Sequence, residues 1–115
     1  MPIRGLSKLI RGGKITPVEL TEFFLERLEG IGPKFNAVVT VTRNQAISQA
    51  RKAQKEIKAG LYKGPLHGIP YGAKDLLATK CIPTTWGAAP FRHQVFNHDA
   101  TVIKRLSEAG AILCA

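Results

Sequence analysis

Among the side chains of this 115-residue sequence that could do chemistry, Lys74 has the most suggestive setting. It lies near the end of the segment Pro65-Leu66-His67-Gly68-Ile69-Pro70-Tyr71-Gly72-Ala73-Lys74-Asp75, where an apolar, strand-like run is followed by two small residues. An amine in that position, at the end of a core strand and against closely approaching backbone, is expected to be partly buried and to face an open cleft. Burial disfavours the charged ammonium, and a neutral lysine can take up a proton at working pH. Asp75 would oppose this from close by, because a carboxylate favours the ammonium. Strand alternation predicts instead that Asp75 points to the opposite face. An exposed Lys-Asp pair at a strand end is the plain alternative, and spacing alone leaves both readings open.

The other candidates are weaker. Ser7 and Ser48 sit on predicted helices ahead of the motif, and Ser107 lies inside the last one without a glycine-rich turn. None has the setting of a nucleophile, and all three read as surface or helix residues. His67, beside Gly68, reads as structural or as part of a loop. His93 and His98 share a loop but have no third ligand beside them, so no metal site is expected. Trp86 reads as an aromatic packed under a loop. Cys81 and Cys114 form neither a CxxC pair nor a zinc-type cluster, and so read as free thiols of a reducing compartment. Gly12-Gly13-Lys14 lacks the rest of a phosphate-binding loop.

These residues must be positioned by a mixed set of elements. Ile3, Leu6, Leu9 and Ile10 recur at helical spacing up to Arg11-Gly12-Gly13. Thr16-Pro17-Val18-Glu19 is a helix start with a capping box, and Leu20, Phe23, Phe24, Leu28 and Ile31 form the apolar stripe of a helix to about Ile31. Phe35 to Val41 reads as a strand. Asn44 to Ala59 reads as a third helix with Ala46, Ile47, Ala50, Ala53 and Ile57 inward, ended by Gly60. Glycine and proline break up Lys63 to Pro90, leaving short strands at Leu66 to Ala73 and around Leu76 to Thr79. Asp99 is expected to cap a fourth helix to Ala109, with Val102, Ile103 and Leu106 inward. Ala111 to Cys114 reads as a further strand. The order of elements implies an α/β sheet whose later strands are absent.

The net charge is +9, from 17 Lys and Arg against 8 Asp and Glu. The densest basic run, Arg51, Lys52, Lys55 and Lys58, lies on one helix without interleaved aromatics, so it reads as a solvated face and not as a nucleic-acid patch. No apolar run approaches the roughly 20 residues a membrane span requires. The N-terminus lacks the apolar core of a signal peptide. A cytoplasmic location without membrane contact is expected.

The Pro65 to Asp75 segment resembles the opening of the amidase-signature domain. Thr79-Lys80, Pro83-Thr84-Thr85-Trp86-Gly87, Asp99-Ala100-Thr101-Val102, Arg105-Leu106 and Glu108-Ala109-Gly110-Ala111 follow in the same order. The resemblance implies the N-terminal portion of that fold, a mixed sheet flanked by helices and incomplete here. Residues 1–31 would be N-terminal helices, and 35–115 the start of the α/β core. It also implies a Ser–Ser–Lys mechanism with Lys74 as the base. Through a second serine the lysine activates a nucleophilic serine, an acyl-enzyme forms, and water or another amine releases it. The serine and glycine-rich segment of such proteins would fall beyond Ala115, so the chain is expected to be inactive alone. The implied partners are a small amide substrate and the rest of the amidase domain, with no cofactor. A general amidase is favoured. The A subunit of a Glu-tRNA(Gln)/Asp-tRNA(Asn) amidotransferase, which releases ammonia from glutamine or asparagine, is the alternative, and a non-catalytic interaction module is a second one.

Overall fold

A computed structural model describes all 115 residues. Its helices are α1 (Ile3–Arg11), α2 (Pro17–Gly30), α3 (Arg43–Lys58) and α4 (Thr101–Glu108), and its strands are β1 (Pro70–Tyr71) and β2 (Ile112–Leu113). The local signals in the sequence account for most of the boundaries. Thr16 caps α2 as expected: the Glu19 N–H donates to Thr16 Oγ1 at 3.1 Å, and the Thr16 N–H donates to Glu19 Oε2 at 2.8 Å. Two helix donors are thereby satisfied by one reciprocal pair. Gly60 follows the end of α3, where its N–H reaches the Ile57 carbonyl at 3.0 Å and the Leu61 N–H reaches that of Glu56 at 2.9 Å.

Helices α2 and α3 pack on each other and on the strands. Leu25, Ala46, Ala50, Ile112 and Cys114 form the main core cluster, and Ile10, Leu20 and Ile69 a second one. Alanine at 46, 50 and 53 leaves α3 a narrow inner face, which lets the helix approach closely. The α2 stripe differs from the expected one. Leu25 and Thr21 are its fully buried residues, whereas Phe23 and Ile31 are exposed. Phe23 lies edge-on to Phe24 at 5.3 Å under the Arg27 guanidinium, so the ring is covered along the helix surface and not by the core. In α4 Ile103 faces inward and Val102 outward.

The strands are parallel, with Pro70 opposite Ile112 and Tyr71 opposite Leu113. Backbone bonds extend the pairing at both ends, from Gly68 N–H to Gly110 O at 2.9 Å through to Ala73 N–H to Ala115 O at 2.8 Å. Two strand expectations fail. Phe35–Val41 is not a strand: a 3-10 turn covers Gly32–Phe35, Asn36 takes a left-handed conformation, and Phe35 and Val39 are exposed. A β-rich run with no neighbour to pair with gains nothing from extension. Leu76 to Thr79 is likewise turn and loop. Asp99 does not cap α4. The N-cap is Ala100, and the Asp99 carboxylate accepts instead from the Lys80 N–H at 2.7 Å, tying two loops together.

Two glycines are fixed by close approach as well as by conformation. Gly110 ends α4 at φ +79°, and a Cβ there would lie 2.3 Å from His67 Cδ2. Gly68 has φ +82°, and a Cβ there would lie 2.8 Å from Pro17 Cγ.

Candidate active site

Lys74 follows β1 by three residues, at the carboxyl ends of the paired strands. It lines a cleft of about 190 Å³ together with Val38, Val39, Thr40, Thr42, Asp75, Leu77, Thr79, Ile82, Pro83, Leu113 and Ala115, among others. The expectation of an open cleft at this lysine agrees with the structure. The expectation of burial does not, because Lys74 is exposed. The chain turns immediately after Lys74, at Asp75 and Leu76.

Asp75 also borders the cleft but forms no ion pair with Lys74. Its carboxylate is held by Thr85, accepting from the Thr85 N–H at 2.7 Å and from the Thr85 hydroxyl. The Trp86 N–H donates to the Asp75 carbonyl at 3.0 Å. This arrangement closes the loop from residue 75 to 87 and leaves Lys74 without a competing carboxylate. Trp86 packs against Phe91 at 4.9 Å and Phe96 at 6.1 Å with its ring tilted to both, and remains 45% exposed.

Behind the strands His67 is fully buried. It accepts from the Lys63 N–H through Nδ1 at 3.1 Å and meets Glu56 Oε2 through Nε2 at 2.9 Å. With Nδ1 accepting, the proton sits on Nε2 and is donated to the carboxylate. Lys63 Nζ lies 3.1 Å from the same oxygen. Burial works to raise the Glu56 carboxyl, but the bonds from Lys63 and His67 outweigh it and hold the group below its ordinary value. The structural reading of His67 is correct. Its tie to α3 could not be read from the sequence, because Glu56 looks like one more surface charge on a helix.

The remaining candidates do not converge on Lys74. Ser7 lies on α1, as a helix residue, and is buried there with Oγ 2.6 Å from the Tyr62 hydroxyl. Ser48 and Ser107 are exposed on α3 and α4. None of the three lines the cleft. Sequence reading passed over the threonines: Thr40, Thr42 and Thr79 bring hydroxyls to the cleft wall, and Thr42 Oγ1 is spent on the Leu113 carbonyl at 2.8 Å. Burial pushes the Cys114 thiol up to about 11 and so keeps it neutral. Burial, with Asp99 and Cys114 adding to it, raises the Tyr71 phenol to about 12. Neither is an acid or base at neutral pH. His93 and His98 are exposed, and no cluster of three metal-ligating side chains exists. Arg51, Lys52, Lys55 and Lys58 are all exposed on α3.

The amidase family model matches residues 19–115. The chain belongs to the amidase family. It is 40% identical over 108 residues to the Mycobacterium tuberculosis protein AmiD, which is named as an amidase, covering 94% of this chain and 23% of that one. It is also 40% identical over 111 residues to a component of the glutamyl-tRNA(Gln) amidotransferase of Halorhodospira halophila, covering 94% and 22%. Among solved structures, the peptide amidase of Stenotrophomonas maltophilia superposes with a TM-score of 0.93 at 26% identity, over 100% of this chain and 24% of that one. The chain thus spans about a quarter of the length of the relatives it matches, as an N-terminal piece of the amidase-signature fold. No helix is long and apolar enough to cross a membrane.

Proposed function

We propose that this chain carries the lysine base of an amide hydrolase working by a Ser–Ser–Lys mechanism, with Lys74 in that role. The observation that carries the reading is the place of Lys74 at the carboxyl ends of two parallel strands, on the wall of the cleft. Such ends are where open α/β sheets bind ligands. The exposed amine is free to reach a hydroxyl from another segment, and a base must come within about 3 Å of the proton it takes. When that segment closes over the cleft, it excludes water and favours the neutral amine. The lysine then accepts a proton relayed by the second serine from the nucleophilic one. The nucleophile attacks the amide carbonyl, and the proton returns to the departing amine. Water or another amine releases the acyl group. No serine of this chain lines the cleft, so the nucleophile comes from outside it and the chain alone is inactive. Two unpaired thiols fit a cytoplasmic setting.

A second reading shares the base. The 40% identity to a glutamyl-tRNA(Gln) amidotransferase component supports release of ammonia from glutamine for transfer to a charged tRNA. The test joins this chain to the remaining three quarters of the AmiD relative and assays glutamine, asparagine and simple aryl amides. Turnover is expected, and Lys74→Met should lower it by about 10²–10⁴-fold. Lys74→Arg should fail nearly as badly, because arginine stays protonated. A fusion indifferent to Lys74 would overturn the proposal. Full activity from the 115-residue chain alone would place the nucleophile among its own residues.

A further inference from the structure

Lys74 is exposed, carries a long side chain with many rotamers and forms no ion pair. Its direction is set first by the backbone from which it springs. On the upstream side the strand pairing fixes that backbone, where the Ala73 N–H donates to the Ala115 carbonyl at 2.8 Å. On the downstream side the task falls to Asp75. Its carbonyl accepts from the Trp86 N–H at 3.0 Å, and its carboxylate takes both donors of Thr85, the N–H at 2.7 Å and the hydroxyl. The residue directly after the lysine thus makes three bonds to residues 85 and 86.

The turn that receives these bonds is itself braced. Thr84 and Thr85 are buried. The Thr84 N–H donates to the Gln94 carbonyl at 2.9 Å, Gln94 Nε2 donates to the Thr84 carbonyl at 3.0 Å, and Pro83 bridges to Val95. The Gly87 N–H donates to Thr85 Oγ1 at 3.2 Å. Between them Trp86 is held at φ +54°, a left-handed conformation that residues with a Cβ rarely adopt. Strain of that kind persists only where the surroundings hold it, and it gathers at functional sites.

We infer that Asp75 is a positioning residue for Lys74: latched to Thr85, it fixes the backbone that aims the lysine into the cleft. The inference rests on the reading of Lys74 as the base. Asp75 acts here as a double acceptor and not as a counter-ion, because its two carboxylate oxygens each take a Thr85 donor and neither pairs with the amine. What the latch supplies is geometry, and a base serves only within about 3 Å of the proton it takes.

The test uses the fusion of this chain to the remaining three quarters of the AmiD relative and reads kcat and KM on one aryl amide, with a melting curve for each variant. Asp75→Ala should lower kcat at least about ten-fold with KM held within about two-fold, since a small misplacement of a catalytic group costs up to about 10²-fold. Asp75→Asn should recover most of that loss, because its oxygen can accept from the Thr85 N–H while its amide donates to the Thr85 hydroxyl oxygen. In a Lys74→Met background Asp75→Ala should cost nothing further, as for any residue that acts through the lysine. A smaller loss in Asp75→Ala, an equal loss in Asp75→Asn, or an undiminished effect without Lys74 would each overturn the proposal. Wild-type turnover in Lys74→Met would overturn the base and this proposal with it, whereas an inactive Lys74→Met beside a fully active Asp75→Ala would overturn this proposal alone. Should Asp75→Ala fail to fold, Thr85→Val keeps the shape and removes one donor of the latch. It should lower kcat at least about three-fold, and a smaller fall would overturn the proposal.

Discussion

At the scale of single residues, the fold is set by contacts that leave no room for alternatives. Gly110 meets two demands at once. It turns the end of α4 at φ +79°, and it lies against the ring of His67, itself held by Glu56 and by the Lys63 N–H. A methyl group there would be strained by conformation and would strike an aromatic ring that cannot move without breaking both of its bonds. Left-handed strain and overpacking each cost about 1–3 kcal/mol. Gly110→Ala should therefore destabilise the chain by about 2–6 kcal/mol in urea unfolding. A loss below about 0.5 kcal/mol would show that the ring has space to yield. Lys74 is the opposite kind of residue. It is exposed on the cleft wall and forms no ion pair.

At the scale of elements, the helices are more complete than the sheet. Helix α2 has its capping box, a proline in its first turn and two buried apolar anchors, Leu20 and Leu25. Its one flaw is Thr21, fully buried with a hydroxyl that finds no partner. A buried hydroxyl without a hydrogen bond costs about 1–3 kcal/mol, and valine has nearly the same shape and helix propensity. Thr21→Val should raise the urea midpoint, by about 1 kcal/mol in stability. A lower midpoint would mean that the hydroxyl is satisfied by internal water. The strands have only two regular residues each, and they hold because Gln49 and Thr42 close one side while α2 and α3 cover a face.

At the scale of the whole molecule, the core is thin. Only 20 of 115 residues are buried, and the Cα radius of gyration of 14.4 Å exceeds the about 13 Å typical of this length. Exposed Phe35, Val39, Leu61, Leu76 and Val95 are the counterpart of that thin core. Polar ties between elements carry a correspondingly larger share of the stability, and several depend on carboxylates. Glu19 is held below its ordinary 4.5 by the Thr16 N–H and hydroxyl, Glu29 by Arg43, and Glu56 by Lys63 and His67 against the effect of its burial. In each case the unfolded chain binds the proton more tightly than the folded one. Their contribution is thus present above about pH 4.5 and is lost as the pH falls through the lower folded values. The urea midpoint should fall between pH 7 and about 3.5, and Glu56→Gln should flatten part of that fall. A midpoint constant across this range would show that these pairs contribute nothing.

The sequence by itself determined what depends on near neighbours in the chain. The capping box of α2, the alanine face of α3, the glycine stops at Gly60 and Gly110 and the blocks resembling an amidase-signature domain are all local patterns. Each has a physical cause within a few residues. It also placed Lys74 at a cleft beyond a strand. What only the tertiary structure decided depends on partners far along the chain. Phe35–Val41 has strand propensity but no strand to pair with, so it coils. Asp99 is well placed for a cap but is drawn to the Lys80 N–H, 19 residues away. Glu56 looks like a surface charge yet anchors a buried histidine. Burial of Lys74 was inferred from its small neighbours and from the family resemblance, but burial comes from whatever packs over a residue, and this chain leaves Lys74 exposed.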